Sequence, residues 1–125
     1  MSEITPEMVM EIHDLILSTE SGLDGGHGIG PLEGALGRIS SHLQYAEVED
    51  IYEVAALYAV ALARGHVFND ANKRTALVTA LTYLQIQGVD IPRSDDLEEV
   101  MVDVAEGRLD ARSLADIFYS LDPDQ

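Results

Sequence analysis

A chain of 125 residues with 23 acidic side chains against seven basic ones carries a formal charge of −16. That balance excludes the clustered Lys and Arg of a nucleic-acid-binding surface, and the absence of cysteine excludes disulfides, thiolate nucleophiles and Cys-based zinc sites. With 46% apolar residues and no apolar run near the roughly 20 residues that span a bilayer, residues 1–125 read as one soluble domain, with the cytoplasm as the default location. Position 73 is the single Lys. Many acids with almost no Lys suits a halophile, and equally an acidic protein with a basic partner, so composition leaves both open.

In chain order, Thr5 and Pro6 form an N-cap followed by a first-turn proline, and a helix runs from there to about Ser18. The stretch SGLDGGHGIG (21–30) holds five glycines in ten residues and reads as a loop, free to stay mobile until something binds. A second helix covers Leu32 to Leu43, weakened by Gly34 and Gly37. A third starts near Glu47 and reaches Arg64, apolar almost all round after Val54, the pattern of a central buried helix. Gly65 follows as a C′ stop.

A fourth long apolar helix runs from Asn72 to its stop at Gly88, so two buried helices form a hairpin. GVDIP is a short extended turn. Ser94 caps DDLEEVMVDVAE, and Asp110 caps ARSLADIFYSL, with Pro123 ending the last helix. No segment sustains period-2 alternation. The expected fold is all-α, a compact bundle of about six helices around a central helix–loop–helix.

The hairpin connection reads His66-Val67-Phe68-Asn69-Asp70-Ala71-Asn72-Lys73-Arg74. A base, an acid, two amides and adjacent cations meet at the N-terminus of a buried helix, where free N–H groups and the dipole favour an anion such as a nucleotide phosphate. The bland alternative is an exposed polar loop with surface ion pairs at Lys73 and Arg74.

This run resembles the Fic/Doc signature H-x-F-x-[D/E]-[G/A]-N-[G/K]-R at every fixed position. Ala63-Arg64-Gly65, Thr75-Ala76-Leu77, His13-Asp14 and Gly107 resemble the Doc branch in particular. The resemblance implies the Fic/Doc helical fold over the whole chain and an enzyme that uses ATP to modify a protein hydroxyl. His66 is then the general base, a role open to an imidazole titrating near neutrality. Phe68 anchors the loop in the core.

Asp70 holds Mg²⁺, which takes one or two carboxylates together with phosphate oxygens and waters; its alternative is an N-cap. Asn72, Lys73 and Arg74 grip phosphates, Arg74 through its planar fork and Lys73 as a point charge. Lys73 stands where many AMP-transferring relatives have glycine, and Leu77 where their longer pattern has a second arginine. Both departures resemble Doc and favour transfer of the terminal phosphate.

The resemblance further implies a toxin that phosphorylates a threonine of elongation factor Tu, restrained by a small antitoxin of Phd type. An AMP transferase, and a catalytically silent domain that binds antitoxin or nucleotide, are the competing readings. Ser94 to Glu98 approaches the self-inhibitory [S/T]-x-x-x-E-[G/N] pattern, but Glu99 breaks it and leaves an ordinary acidic helix start. His13, His27, His42 and His66 lack metal-ligand spacing. Arg64 is expected to pair with a carboxylate.

Overall fold

Six helices follow one another in the computed structural model, which describes residues 4–26 and 28–124. They are α1 (Pro6–Thr19), α2 (Ile29–Tyr45), α3 (Ile51–Arg64), α4 (Asn72–Ile86), α5 (Asp95–Ala105) and α6 (Ala111–Leu121). Met1 to Glu3, His27 and Gln125 lie outside the described residues. Among the described residues the sole β pairing is one antiparallel bridge between Gly26 and Phe68, and no helix is long and apolar enough to cross a membrane.

Capping side chains start four helices, three of them (Thr5, Ser94 and Asp110) where the sequence places them. Thr5 accepts from Met8 N (3.2 Å), Asp50 from Tyr52 N (2.8 Å), Ser94 from Leu97 N (3.2 Å) and Asp110 from Ser113 N (2.9 Å). Each such cap is worth about 1 kcal/mol.

Two boundaries differ from expectation. Helix α2 begins three residues before Leu32, at Ile29, because Pro31 sits in the first turn, where its missing N–H costs nothing. Glu47 belongs to the end of α2 and not to the start of α3. It adopts φ 53°, and Val48 N donates to Leu43 O (3.0 Å), a Schellman closure with glutamate in the usual glycine position.

The α3–α4 hairpin lies at the centre. Ala55, Ala56, Ala59 and Ala63 on α3, and Ala76 and Ala80 on α4, are buried and let the two helices approach closely, with Leu62, Leu77 and Leu84 filling between. Helix α1 packs against α4, α2 against α3, and α5 and α6 close the remaining sides of the hairpin. The consequence for function is positional. The connection 65–71 emerges at one end of the hairpin, beside α1, whose His13 stacks on Phe68.

Candidate active site

Two residues bend the motif loop into shape. His66 (φ 50°) and Ala71 (φ 64°) both occupy the left-handed region, at a cost of roughly 1–2 kcal/mol for each residue bearing a Cβ. Gly65 is not the left-handed stop the sequence suggests: its φ is −79°. Glycine is needed there for space, since a Cβ would lie 2.7 Å from Ala61 O. The reversal passes to His66.

Contacts from within the loop and from α1 offset the strain. Asn72 Oδ1 accepts from Phe68 N (3.0 Å) while its Nδ2 donates to Phe68 O (2.9 Å), so the amide braces the loop from both sides. The buried Phe68 ring stacks on His13, with centroids 3.8 Å apart and planes within 10°. His13 is itself buried; its Nε2 donates to Asp70 O (3.2 Å), and its Nδ1 lies 3.2 Å from Asp14 Oδ1.

The glycine-rich segment is a loop, as its composition requires, and its described part lies along the motif as a strap. Asn69 N donates to Gly25 O (3.0 Å), Asn69 Nδ2 to Asp24 O (3.0 Å), and Leu23 N to Asp70 Oδ2 (3.1 Å). Close approach requires glycine at position 26, where a Cβ would meet Val67 O at 2.7 Å.

Asp70 is the loop's carboxylate, and N–H donors surround it. Its Oδ1 accepts from Ala71 N at 2.7 Å. The amides of Ala71 and Leu23, and then the charges of Arg74 and Lys73, hold its carboxyl below the usual carboxylate range. Asp70 is therefore not the N-cap of α4; Ala71 takes that position and offers no side-chain acceptor. The first main-chain bond of α4 runs from Thr75 N to Ala71 O (2.9 Å), so the amides of Asn72, Lys73 and Arg74 precede the helical ladder.

The cations sit beside those amides. Arg74 Nη1 lies 3.3 Å from Glu20 Oε1 and its Nη2 lies 3.8 Å from Asp70 Oδ1. Lys73 is exposed, and so is His66, which makes no hydrogen bond among the described residues. Asp70 fits a Mg²⁺ ion held jointly with phosphate oxygens and water. No group of three His, Cys, Asp or Glu that could cage a metal exists among the described residues, and one ionised carboxylate is the protein share such a shared site needs.

The sequence profile of the Fic/DOC family matches residues 3–84, a stretch that holds this whole site. The chain belongs to the Fic/Doc family. It is 43% identical over 121 residues to a protein named Protein kinase doc from Escherichia phage P1, covering 97% of this chain and 96% of that one. It is 38% identical over 68 residues, 52% of each chain, to a protein named Toxin Doc from Mycolicibacterium smegmatis. Within the Fic/Doc family the chain is thus of Doc type.

The structure brings His66, Phe68, Asp70, Asn72, Lys73 and Arg74 into one loop and the helix start that follows it. His13, which the sequence places with the Doc resemblance rather than with a metal site, is the loop's buried support. Two neighbours, Glu20 and Arg93, escaped the sequence reading. Glu20, at the end of α1, pairs with Arg74; Glu98 pairs instead with Arg93. Arg64 departs from expectation too. Its guanidinium donates to Val104 O (2.8 Å) in the last turn of α5, a helix C-terminus that favours a cation, and to Leu109 O (2.9 Å) in the connection to α6. His27 lies outside the described residues.

Proposed function

We propose that this Doc-type protein is a toxin that transfers the γ-phosphate of ATP to a protein hydroxyl, a threonine of elongation factor Tu, and so halts translation. The observation that carries the reading is the uncapped start of α4, where Lys73 and Arg74 add full charges to free amides directly after an ionised Asp70. The names of both relatives support it, one a kinase and one a toxin.

In this reading Arg74, Lys73 and the amides at the start of α4 hold the phosphates, and Asn72 keeps the loop in the shape that presents them. Asp70 would hold Mg²⁺, which supplies charge neutralisation at the phosphates when bound. His66 takes the proton of the target hydroxyl as that oxygen bonds to the γ-phosphorus. The β–γ bridging oxygen leaves with the electron pair of the broken bond, as ADP. Leu77 is fully buried in the core, so α4 offers no second arginine one turn beyond Arg74. With Lys73 in place of glycine, this supports the nucleotide orientation that exposes its terminal phosphate.

An active enzyme of this kind needs restraint, and a small antitoxin of Phd type is the proposed partner. Expression of the chain alone should stop protein synthesis, and co-expression of its antitoxin should restore it. Undisturbed translation at high expression of the folded wild-type chain would reject the toxin reading.

A further inference from the structure

Arg93 stands outside the motif, on the connection between α4 and α5, yet it converges with Arg74 on one carboxylate. Glu20 Oε1 accepts from Arg74 Nη1 (3.3 Å) and Arg93 Nη2 (3.1 Å), and its Oε2 accepts from Arg93 Nη1 (2.8 Å). Arg93 Nε is held by Glu98. A cavity of about 470 Å³ opens on the cluster, lined by Glu20, Arg74, Arg93, Ser94, Asp95 and Glu98.

In a chain with 23 acids and seven bases, charge pairing alone surrounds cations with acids, as Asp103 and Glu106 surround Arg108. Glu20 has the reverse arrangement. Among the ion pairs of the described residues it is the one carboxylate gripped by two arginines. Stability does not account for this, because partly exposed ion pairs contribute about 0–1 kcal/mol. A planar fork that binds a carboxylate side-on binds a phosphate in the same way, and one of the two forks is the motif arginine. The Glu20 carboxylate thus occupies the kind of environment that a phosphate oxygen pair would take.

We propose that Arg93 is a second phosphate-gripping residue of the nucleotide site, and that Glu20 is the resident anion which a nucleotide phosphate displaces from between Arg93 and Arg74. This rests on the nucleotide reading above.

Calorimetric titration of the full chain with Mg-ATP tests it, with thermal melts to confirm folding. Arg93→Ala should weaken ATP binding roughly 10- to 100-fold, the yield of one charged hydrogen-bonded contact. Arg93→Lys should fall between Arg93→Ala and wild type, since it keeps the charge and loses the fork. Glu20→Gln should tighten binding severalfold, because a neutral amide no longer competes for the two guanidinium groups. Arg108→Ala, beyond the far end of α5, should bind as wild type. ATP binding lost in Arg74→Ala but unchanged in Arg93→Ala would overturn the role of Arg93 and leave the nucleotide site standing. No ATP binding by the wild type would overturn both. Should Arg93→Ala fail to fold, Glu20→Gln decides: unchanged or weaker binding in that folded variant overturns the proposal.

Discussion

His66 and Ala71 carry the backbone strain of the motif, and their side chains have opposite relations to it. Ala71 has a buried methyl and no polar duty, so Ala71→Gly relieves a left-handed conformation at the cost of a freer unfolded chain. The two effects nearly cancel, and the variant should stay within about 1 kcal/mol of wild type with its site intact. Ala71→Val, β-branched at φ 64°, should lose stability clearly in a denaturant titration. His66→Ala should leave the fold within about 0.5 kcal/mol, as expected of an exposed side chain, while phosphate transfer falls about 10²–10⁴-fold. Phe68→Ala is the contrast: a buried ring stacked on His13 should cost about 3–5 kcal/mol. Equal destabilisation by His66→Ala and Phe68→Ala, with activity tracking the folded fraction, would make His66 structural. The place of the motif, at the start of a buried α4, was legible because the apolar signals around it are local. The left-handed turn at His66 was not, since the adjacent Gly65 is the residue that sequence rules assign to it, and only the contact with Ala61 O shows why glycine is there.

Helices were legible wherever a cap and an apolar stripe coincide, as at Thr5, Ser94 and Asp110. The strap over the motif was not. Its hold on the loop comes from hydrogen bonds between residues more than 40 positions apart, such as Leu23 N to Asp70 Oδ2, and a glycine-rich run has no periodicity that could announce them. Glu20 and Arg93 were hidden for the same reason, since each is an ordinary charged residue until the fold sets it beside Arg74. The strap makes its own prediction. Gly26→Ala places a Cβ against Val67 O and should lift the strap from the loop. Hydrogen exchange should then show faster exchange at Leu23 and Asn69, together with lower transfer activity, while the helices keep their protection. Unchanged exchange at those two amides would mean that the strap does not depend on close approach at Gly26.

At the scale of the whole molecule, α6 is tied back to α3 by a hydrogen bond from Tyr52 Oη to Asp122 Oδ2, and Tyr52 meets Tyr119 edge to face at 5.2 Å. The Asp122 bond, then burial, pushes the Tyr52 hydroxyl up to about 12, and the same bond holds the Asp122 carboxyl below its usual range. The two signs differ. Tyr52, raised in the folded state, contributes stability that is complete below about pH 10 and lost as pH climbs towards 12. Asp122 contributes above the usual carboxylate range and loses its share as pH falls from that range through its lowered folded value, as do Glu20, held low chiefly by Arg93, and Asp70. Tyr52→Phe should cost about 1.5–3 kcal/mol at neutral pH and flatten the alkaline limb of the stability curve. An alkaline limb identical to wild type would show that Tyr52 is not the group responsible.

The proposed reaction is also a property of the whole site, since in that reading base, cation seat and phosphate grip act on one nucleotide in one orientation. The most direct measurement is incubation of the protein with elongation factor Tu and ATP labelled at either the α- or the γ-phosphate. The account predicts that γ-label appears on the target and that α-label does not, with no transfer by His66→Ala. Transfer of α-label would contradict it and make the protein an AMP transferase.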